Sequence, residues 1–275
     1  MKILSVLLRI EVLKAVKRKV FWVAVGAFVV FATIPTVEGV RNTRRNPNLA
    51  YALPESWPDI LGTAAMGPGP FFVAVLMILL CAPEFSWRTG RQNVIDGLSK
   101  ERLYAGKAIV LAGLILFFIA TPVLIGVGGT LFSPSEGGPA VIRSTDLSYM
   151  GGLALILLFF GSASLLLSAL LRSSGPALGV FFLCLIAEEA VTGLMWRTGE
   201  RLRAATQYLP FNVLEALGDD LVHYPEELAK VNTELAERGS GPWEFLDLEV
   251  LAIAALTYSS IFLAISFLSM RKRDL

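Results

Sequence analysis

Two adjacent glutamates, Glu188 and Glu189, lie inside an apolar stretch that covers residues 176–196. If that stretch is helical, they lie about 12 residues, or roughly 18 Å, from its beginning. An ionised carboxylate at such a depth in a bilayer costs about 2.5 to 3.5 kcal/mol, so acids in membrane helices are candidates for substrate passage. Neighbouring residues on a helix point in different directions, so the two carboxylates cannot face one partner equally. The alternative is a shorter helix that leaves both glutamates at the membrane surface.

The chain lacks the residues that a metal-dependent enzyme or an ATP-binding site would need. The chain has one histidine, His223, so a metal site built from glutamates and histidines cannot form. The phosphate-binding pattern Gly-x-x-x-x-Gly-Lys-Ser/Thr does not occur. The serines near Gly161 are interpreted as small residues that let membrane helices pack closely. The sequence therefore predicts no catalytic residue, and no metal or cofactor bound by this chain itself.

The composition is that of a membrane protein. Of 275 residues, 55% are hydrophobic and 17% are charged, and the mean hydropathy is +0.64. The 24 basic and 23 acidic residues give a net charge of +1, which excludes the strongly basic balance of a nucleic-acid-binding protein. Cys81 and Cys184 both lie in apolar runs and are interpreted as free thiols.

Six segments are long and apolar enough to cross a bilayer core of about 30 Å. They cover residues 20–37, 60–83, 108–132, 147–171, 176–196 and 250–270. Gly67, Pro68, Gly69 and Pro70 interrupt the second segment, which predicts a broken or partly re-entrant helix there. We therefore expect one all-α domain, residues 1–275, with six transmembrane helices.

The basic residues predict that both termini are cytoplasmic. With that orientation, 15 of the 24 lysines and arginines lie on the cytoplasmic side, as is typical of membrane proteins. The cluster formed by Arg41, Arg44 and Arg45 argues against it.

Three segments outside the spans carry structure of their own. Residues 1–19 are predicted to form an interfacial helix, with an apolar arc made of Ile3, Val6, Leu7, Ile10 and Leu13. Residues 84–107 mix charges with Val94, Ile95 and Leu98 at helical spacing, which indicates either a short docking helix or a solvated loop. Residues 197–249 are predicted to be an external helical segment, with helices near 211–221 and 225–239. This external segment either closes the outer mouth or only packs on the spans.

The order of these features resembles the permease subunits of type-2 ATP-binding cassette (ABC) exporters. The resemblance covers nearly the whole chain. It rests on the basic amino terminus, a second span that ends at Glu84, the stretches 88–96 and 99–104, Gly106 with Lys107, and the stretch 208–212. It implies a coupling helix after the second span, cytoplasmic ATPase subunits that bind ATP and Mg, and a second permease chain, either identical or homologous. It also implies the cytoplasmic membrane as the location and alternating access as the mechanism.

Two groups of site residues follow from this resemblance and from the spans. The resemblance places the contacts with the ATPase at Glu84, Arg88, Arg91, Asp96, Lys100 and Glu101. Our candidates for the translocation path or gate are Glu188, Glu189, Pro68, Pro70, Pro210 and Phe211, because breaks in membrane helices free backbone groups to line a cavity. An alternative is a scaffold or mechanotransmission subunit that does not transport and whose external segment binds a partner protein. An ion channel is a third hypothesis, and no filter-like sequence supports it.

Overall fold

A computed structural model describes residues 2–45, 51–53, 55–86, 98–133, 142, 144–198, 202, 205–222, 233, 236–237 and 246–272. This part of the chain contains nine α-helices of eight residues or more. They are α1 (Lys2–Val16), α2 (Lys19–Arg45), α3 (Trp57–Met66), α4 (Gly69–Ser86), α5 (Lys100–Thr130), α6 (Ser144–Leu171), α7 (Ser174–Thr198), α8 (Pro210–Val222) and α9 (Leu248–Lys272).

The protein is a polytopic, all-helical membrane protein with six candidate spans, as the sequence predicts. Helices α2, α5, α6, α7 and α9 each supply one span, and α3 with α4 supply another, from Trp57 to Glu84. Several helices extend beyond the apolar segments; α5 begins at Lys100, eight residues before the predicted start at Ala108.

The second span is broken where the sequence predicts a break. Helix α3 ends at Met66, and the backbone N–H of Gly67 donates to the Thr63 carbonyl at 2.9 Å. A β-carbon on Gly67 would lie 2.2 Å from that carbonyl oxygen, so a residue with a side chain cannot take this position without a shift of the backbone. Pro68 has no N–H to continue the helix. Helix α4 then begins at Gly69.

Helix α6 lies at the centre of the bundle. It packs most extensively against α4 and α9. Its buried positions include Gly161 and the serines Ser162, Ser164 and Ser168, whose small side chains allow close approach of the neighbouring helices. Helix α7 lies at the periphery, because only 6% of its most apolar stretch is buried.

Helix α1 and the end of α9 lie at the same face of the bundle. Near this face Lys107 contacts Glu11 of α1, and Lys100 donates to the carbonyl of Arg271 at the end of α9 at 3.2 Å. We call it the terminal face. At the other face, the Tyr51 hydroxyl donates to the Gly126 carbonyl at 2.6 Å and joins the segment after α2 to α5.

The predicted amino-terminal helix is present as α1. Ile10 and Leu13 are 44% and 49% exposed, whereas Glu11 and Ala15 are buried. Ile10 and Leu13 point away from the bundle, where an interfacial helix would meet lipid.

Two predicted helices lie outside the described residues. The docking helix expected after α4 falls on 87–97, which includes Arg88, Arg91 and Asp96. Almost all of the expected helix at 225–239 is also outside, as is His223. The predicted helix at 211–221 corresponds to α8.

Candidate functional site

Four charged side chains meet near the terminal face, and we call them the charged cluster. The Lys107 amine donates to Glu11 Oε2 at 2.7 Å and to Glu84 Oε1 at 2.6 Å. The Lys14 amine donates to Glu11 Oε1 at 3.0 Å and to Glu84 Oε1 at 3.1 Å. The side chain of Lys107 is 1% exposed and those of Glu11 and Glu84 are 8% and 6% exposed, whereas Lys14 reaches the surface at 34%. The cluster therefore contains two positive and two negative charges, and three of them are buried.

Three helices supply the charged cluster. Glu11 and Lys14 lie three residues apart on α1, so they share one face of that helix. Glu84 lies near the end of α4, and Lys107 lies two turns into α5. The cluster thus joins the amino-terminal helix to both helices that flank residues 87–97. A second contact supports the junction, because the Arg18 guanidinium donates to the Leu79 carbonyl of α4.

The charge balance explains how these groups tolerate burial. Burial alone would raise the pKa of the Glu11 carboxyl, but the charge and hydrogen bond of Lys107, with a further contribution from Lys14, hold that pKa below its usual range. Removing one partner from a buried ion pair costs about 3 to 5 kcal/mol, because the other charge remains buried. The stability of the charged cluster therefore depends on the balance of its positive and negative charges.

The predicted ATPase contacts are distributed unequally around this cluster. Glu84 is directed into the protein by its two lysine partners. Lys100 and Glu101 lie in the first turn of α5, and Glu101 is exposed at the terminal face. Arg88, Arg91 and Asp96 are not among the described residues. Of the residues described, Glu101 and the half-buried Lys100 remain accessible to a partner protein.

A cavity of about 350 Å³ lies between α4, α6, α7 and α8, and we call it the mid-helix cavity. It reaches the middle of α6 at Ile156 and Phe160, about 20 Å from either end of that helix. Its lining consists of Gly67, Pro70, Phe71, Ile156, Phe160, Leu185, Glu188, Glu189, Phe211, Asn212, Leu214 and Glu215.

Glu188 holds the beginning of α8 against α7. Its Oε1 accepts from the backbone N–H groups of Phe211 and Asn212 at 2.6 and 3.0 Å. The first N–H groups of a helix have no partner within the helix and carry a partial positive charge, so a carboxylate is a favourable cap. The Asn212 side chain donates to Thr192 Oγ1, one turn after Glu188 on α7, at 2.9 Å. Glu188 therefore fixes the position of α8 rather than presenting a free charge.

Glu189 and Glu215 contribute two further carboxylates to the cavity, and both residues are exposed. Partial burial of the Glu215 carboxyl, together with the nearby charges of Asp219 and Glu189, raises its pKa above the usual range. In the part of the chain that the structure describes, no three histidine, cysteine or acidic side chains are arranged to hold a metal ion.

Three aromatic rings contribute to the wall of the cavity. Phe71 and Phe160 make an edge-to-face contact with ring centres 5.5 Å apart, and Phe211 lies 5.8 Å from Phe160. Such contacts between rings add stability beyond the area that they bury, so these rings form an ordered apolar surface.

A family model described as "Protein of unknown function (DUF2705)" matches residues 63–275. The chain belongs to the DUF2705 family. A search of curated proteins gave no match. The region shared with the DUF2705 family contains every residue that lines the mid-helix cavity, as well as Glu84 and Lys107. Glu11 and Lys14 of α1 precede it.

The structure of this DUF2705 protein brings together most of the predicted path residues. Glu188, Glu189, Pro70 and Phe211 line one cavity. Pro68 lies in the break beside it, and Pro210 is the first residue of α8. Their role in a path or gate stays a prediction.

The charged cluster, and the position of Glu215 in the lining of the cavity, were not predicted from the sequence. One signal for the cluster was available, since Glu11 is the only acidic residue of α1 and Lys107 directly precedes an apolar run. Glu215 lies four residues after Phe211, and therefore on the same side of α8.

Proposed function

We propose that this chain is the permease subunit of an ATP-driven ABC exporter. ATP and Mg bind to ATPase subunits in separate chains, which dock at the terminal face, and this face is cytoplasmic. A second permease chain, identical or homologous, completes the path across the cytoplasmic membrane. The substrate then moves by alternating access.

The observation that carries this proposal is the position of the charged cluster. Glu84 and Lys107 lie just before and just after the segment that would contact the ATPase, and both bind Glu11 or Lys14 of α1. Movement of that segment would therefore displace α4, α5 and α1 together. A solvated loop that binds no partner protein would not need a buried, charge-balanced cluster where it meets α4 and α5.

The mid-helix cavity supports the same proposal. It lies halfway along α6, beside a broken span and beside α8, a short helix that packs against α3, α6 and α9. Transport proteins use such interrupted helices to line binding sites near the middle of the membrane. The basic residues favour the orientation, because 15 of the 24 belong to segments that are cytoplasmic if both termini are cytoplasmic.

The decisive experiment is purification from native membranes in mild detergents, with quantitative mass spectrometry of the proteins that co-purify. We expect an ATPase subunit in stoichiometric amount with the unaltered chain. The double reversal R88E/R91E should abolish its recovery. The matched double reversal R41E/R45E changes two arginines at the other end of the bundle and should leave recovery unchanged.

Absence of an ATPase in several mild detergents would overturn the exporter proposal. Recovery of an external partner in its place would favour the scaffold alternative. Equal loss of the ATPase in both double reversals would show that the effect is not specific to the segment after α4.

A further inference from the structure

We propose that the mid-helix cavity binds a lipophilic monocation, a ligand with one positive charge on an apolar body that contains rings. This inference rests on the proposed function, for which it names the class of substrate. It rests on three observations at one cavity: aromatic side chains, carboxylates, and the absence of basic side chains among the described lining residues.

The size and wall of the cavity suit an apolar body. A volume of about 350 Å³ lies within the range of small-molecule sites, about 300 to 1,000 Å³. Phe71, Phe160 and Phe211 offer ring surfaces, and three aliphatic side chains complete the apolar part of the lining, namely Ile156, Leu185 and Leu214. Phe71 is 38% exposed, so the wall reaches the surface of this chain, where a lipophilic ligand could enter.

The charges around the cavity select for a cation. Glu189 and Glu215 both line it, and none of the lining residues that the structure describes is basic. The positive end of α8 also faces this region, but Glu188 already neutralises it through two hydrogen bonds. Among the lining residues that the structure describes, an anion would therefore meet two carboxylates and no basic side chain. A cation gains both carboxylates and the faces of the phenylalanine rings.

The test compares two ions of nearly the same shape and opposite charge. Tetraphenylphosphonium and tetraphenylborate each carry four phenyl rings around a central atom. Binding of each is measured by equilibrium dialysis to the purified full chain in lipid nanodiscs, with empty nanodiscs to subtract partition into lipid. No ATP or ATPase is added.

We expect saturable binding of the phosphonium ion and no saturable binding of the borate ion. The single changes Glu189→Gln and Glu215→Gln should each weaken the phosphonium Kd about threefold, and the double variant about tenfold. Glu38→Gln removes an exposed carboxylate of α2 that does not line the cavity, and should not change the Kd. Thermal unfolding of every variant shows whether it remains folded, and Glu189→Gln provides a separate test if the double variant does not.

Equal binding of both ions, or an unchanged Kd in a folded E189Q/E215Q variant, would overturn the inference. Such a result would leave the co-purification of the ATPase unaffected. Conversely, if no ATPase co-purifies and the exporter proposal fails, a cation-selective Kd would still support this inference. The two failures can therefore be told apart.

Discussion

Replacement of Lys107 by methionine tests whether the charged cluster stabilises the fold. Methionine keeps much of the length and apolar character of the lysine stem but removes the amine that contacts Glu11 and Glu84 at 2.7 and 2.6 Å. Two carboxylates that are 8% and 6% exposed are then left with Lys14 as the remaining amine of the cluster. Breaking a buried ion pair in this way costs about 3 to 5 kcal/mol.

The assay is thermal unfolding of the purified protein in detergent, followed by the fluorescence of its tryptophans. One kcal/mol shifts the Tm of a chain of this size by about 2 to 4 °C, so Lys107→Met should lower the Tm by roughly 10 °C. Lys19→Met provides the control, because this lysine is exposed at the start of α2 and surface substitutions change stability by about 0.5 kcal/mol or less.

A compensating variant separates charge balance from simple packing. Combining Lys107→Met with Glu84→Gln leaves one carboxylate, Glu11, paired with one amine, Lys14, at 3.0 Å. We expect this double variant to recover at least half of the decrease in Tm that Lys107→Met alone causes. The reasoning is refuted if Lys107→Met unfolds within 2 °C of the Lys19→Met control, or if the double variant is no more stable than Lys107→Met.

Two further predictions concern the helices that pack against the spans. Glu188→Leu removes the cap of α8 and should weaken the docking of this helix by about 1 to 2 kcal/mol. Glu188→Gln keeps an acceptor oxygen and should cost less. Hydrogen exchange of the Phe211 and Asn212 amides measures the effect, and equal protection in the unaltered protein and both variants would contradict the prediction. The pKa of Glu11 is lower in the folded state than its usual value of 4.5. The stability that its carboxylate gives to the folded state is therefore fully present above about pH 4.5 and is lost as the pH falls through the folded pKa. Limited proteolysis of α1 between pH 7 and pH 3 should therefore show release only in acid, and Glu11→Gln should remove most of this pH dependence.

The fold could be predicted from the sequence because the bilayer imposes it. A span needs about 20 apolar residues, so length and hydropathy are enough to place six of them. The break in the second span was equally visible, since Gly67 and Pro68 act through local backbone geometry. Helix α8 was found at 211–221 and extends over Pro210–Val222, because a short amphipathic helix also has a local pattern.

The charged cluster could not be found by local patterns, because Glu11 and Lys107 are 96 residues apart in the chain. The apolar arc of α1 predicted an interfacial helix but gave no sign of which residues would contact the spans. Lipid accepts Ile10 and Leu13, whereas the charges of Glu11 and Lys14 must find partners in protein. Only the packing of α1 on α4 and α5 reveals those partners.

Helix α4 links the two sites physically. Its first turn contributes Pro70 and Phe71 to the mid-helix cavity, and Glu84 near its end belongs to the charged cluster. The helix has 18 residues, or about 27 Å, and no glycine after Gly69. Pro83 lies in its last turns, beside the cluster, so the stretch between the two sites contains no residue that favours a kink. Displacement of the charged cluster would therefore reach the cavity as a tilt of the whole helix. Because α4 packs extensively against α6, that tilt would also move Ile156 and Phe160, which line the same cavity.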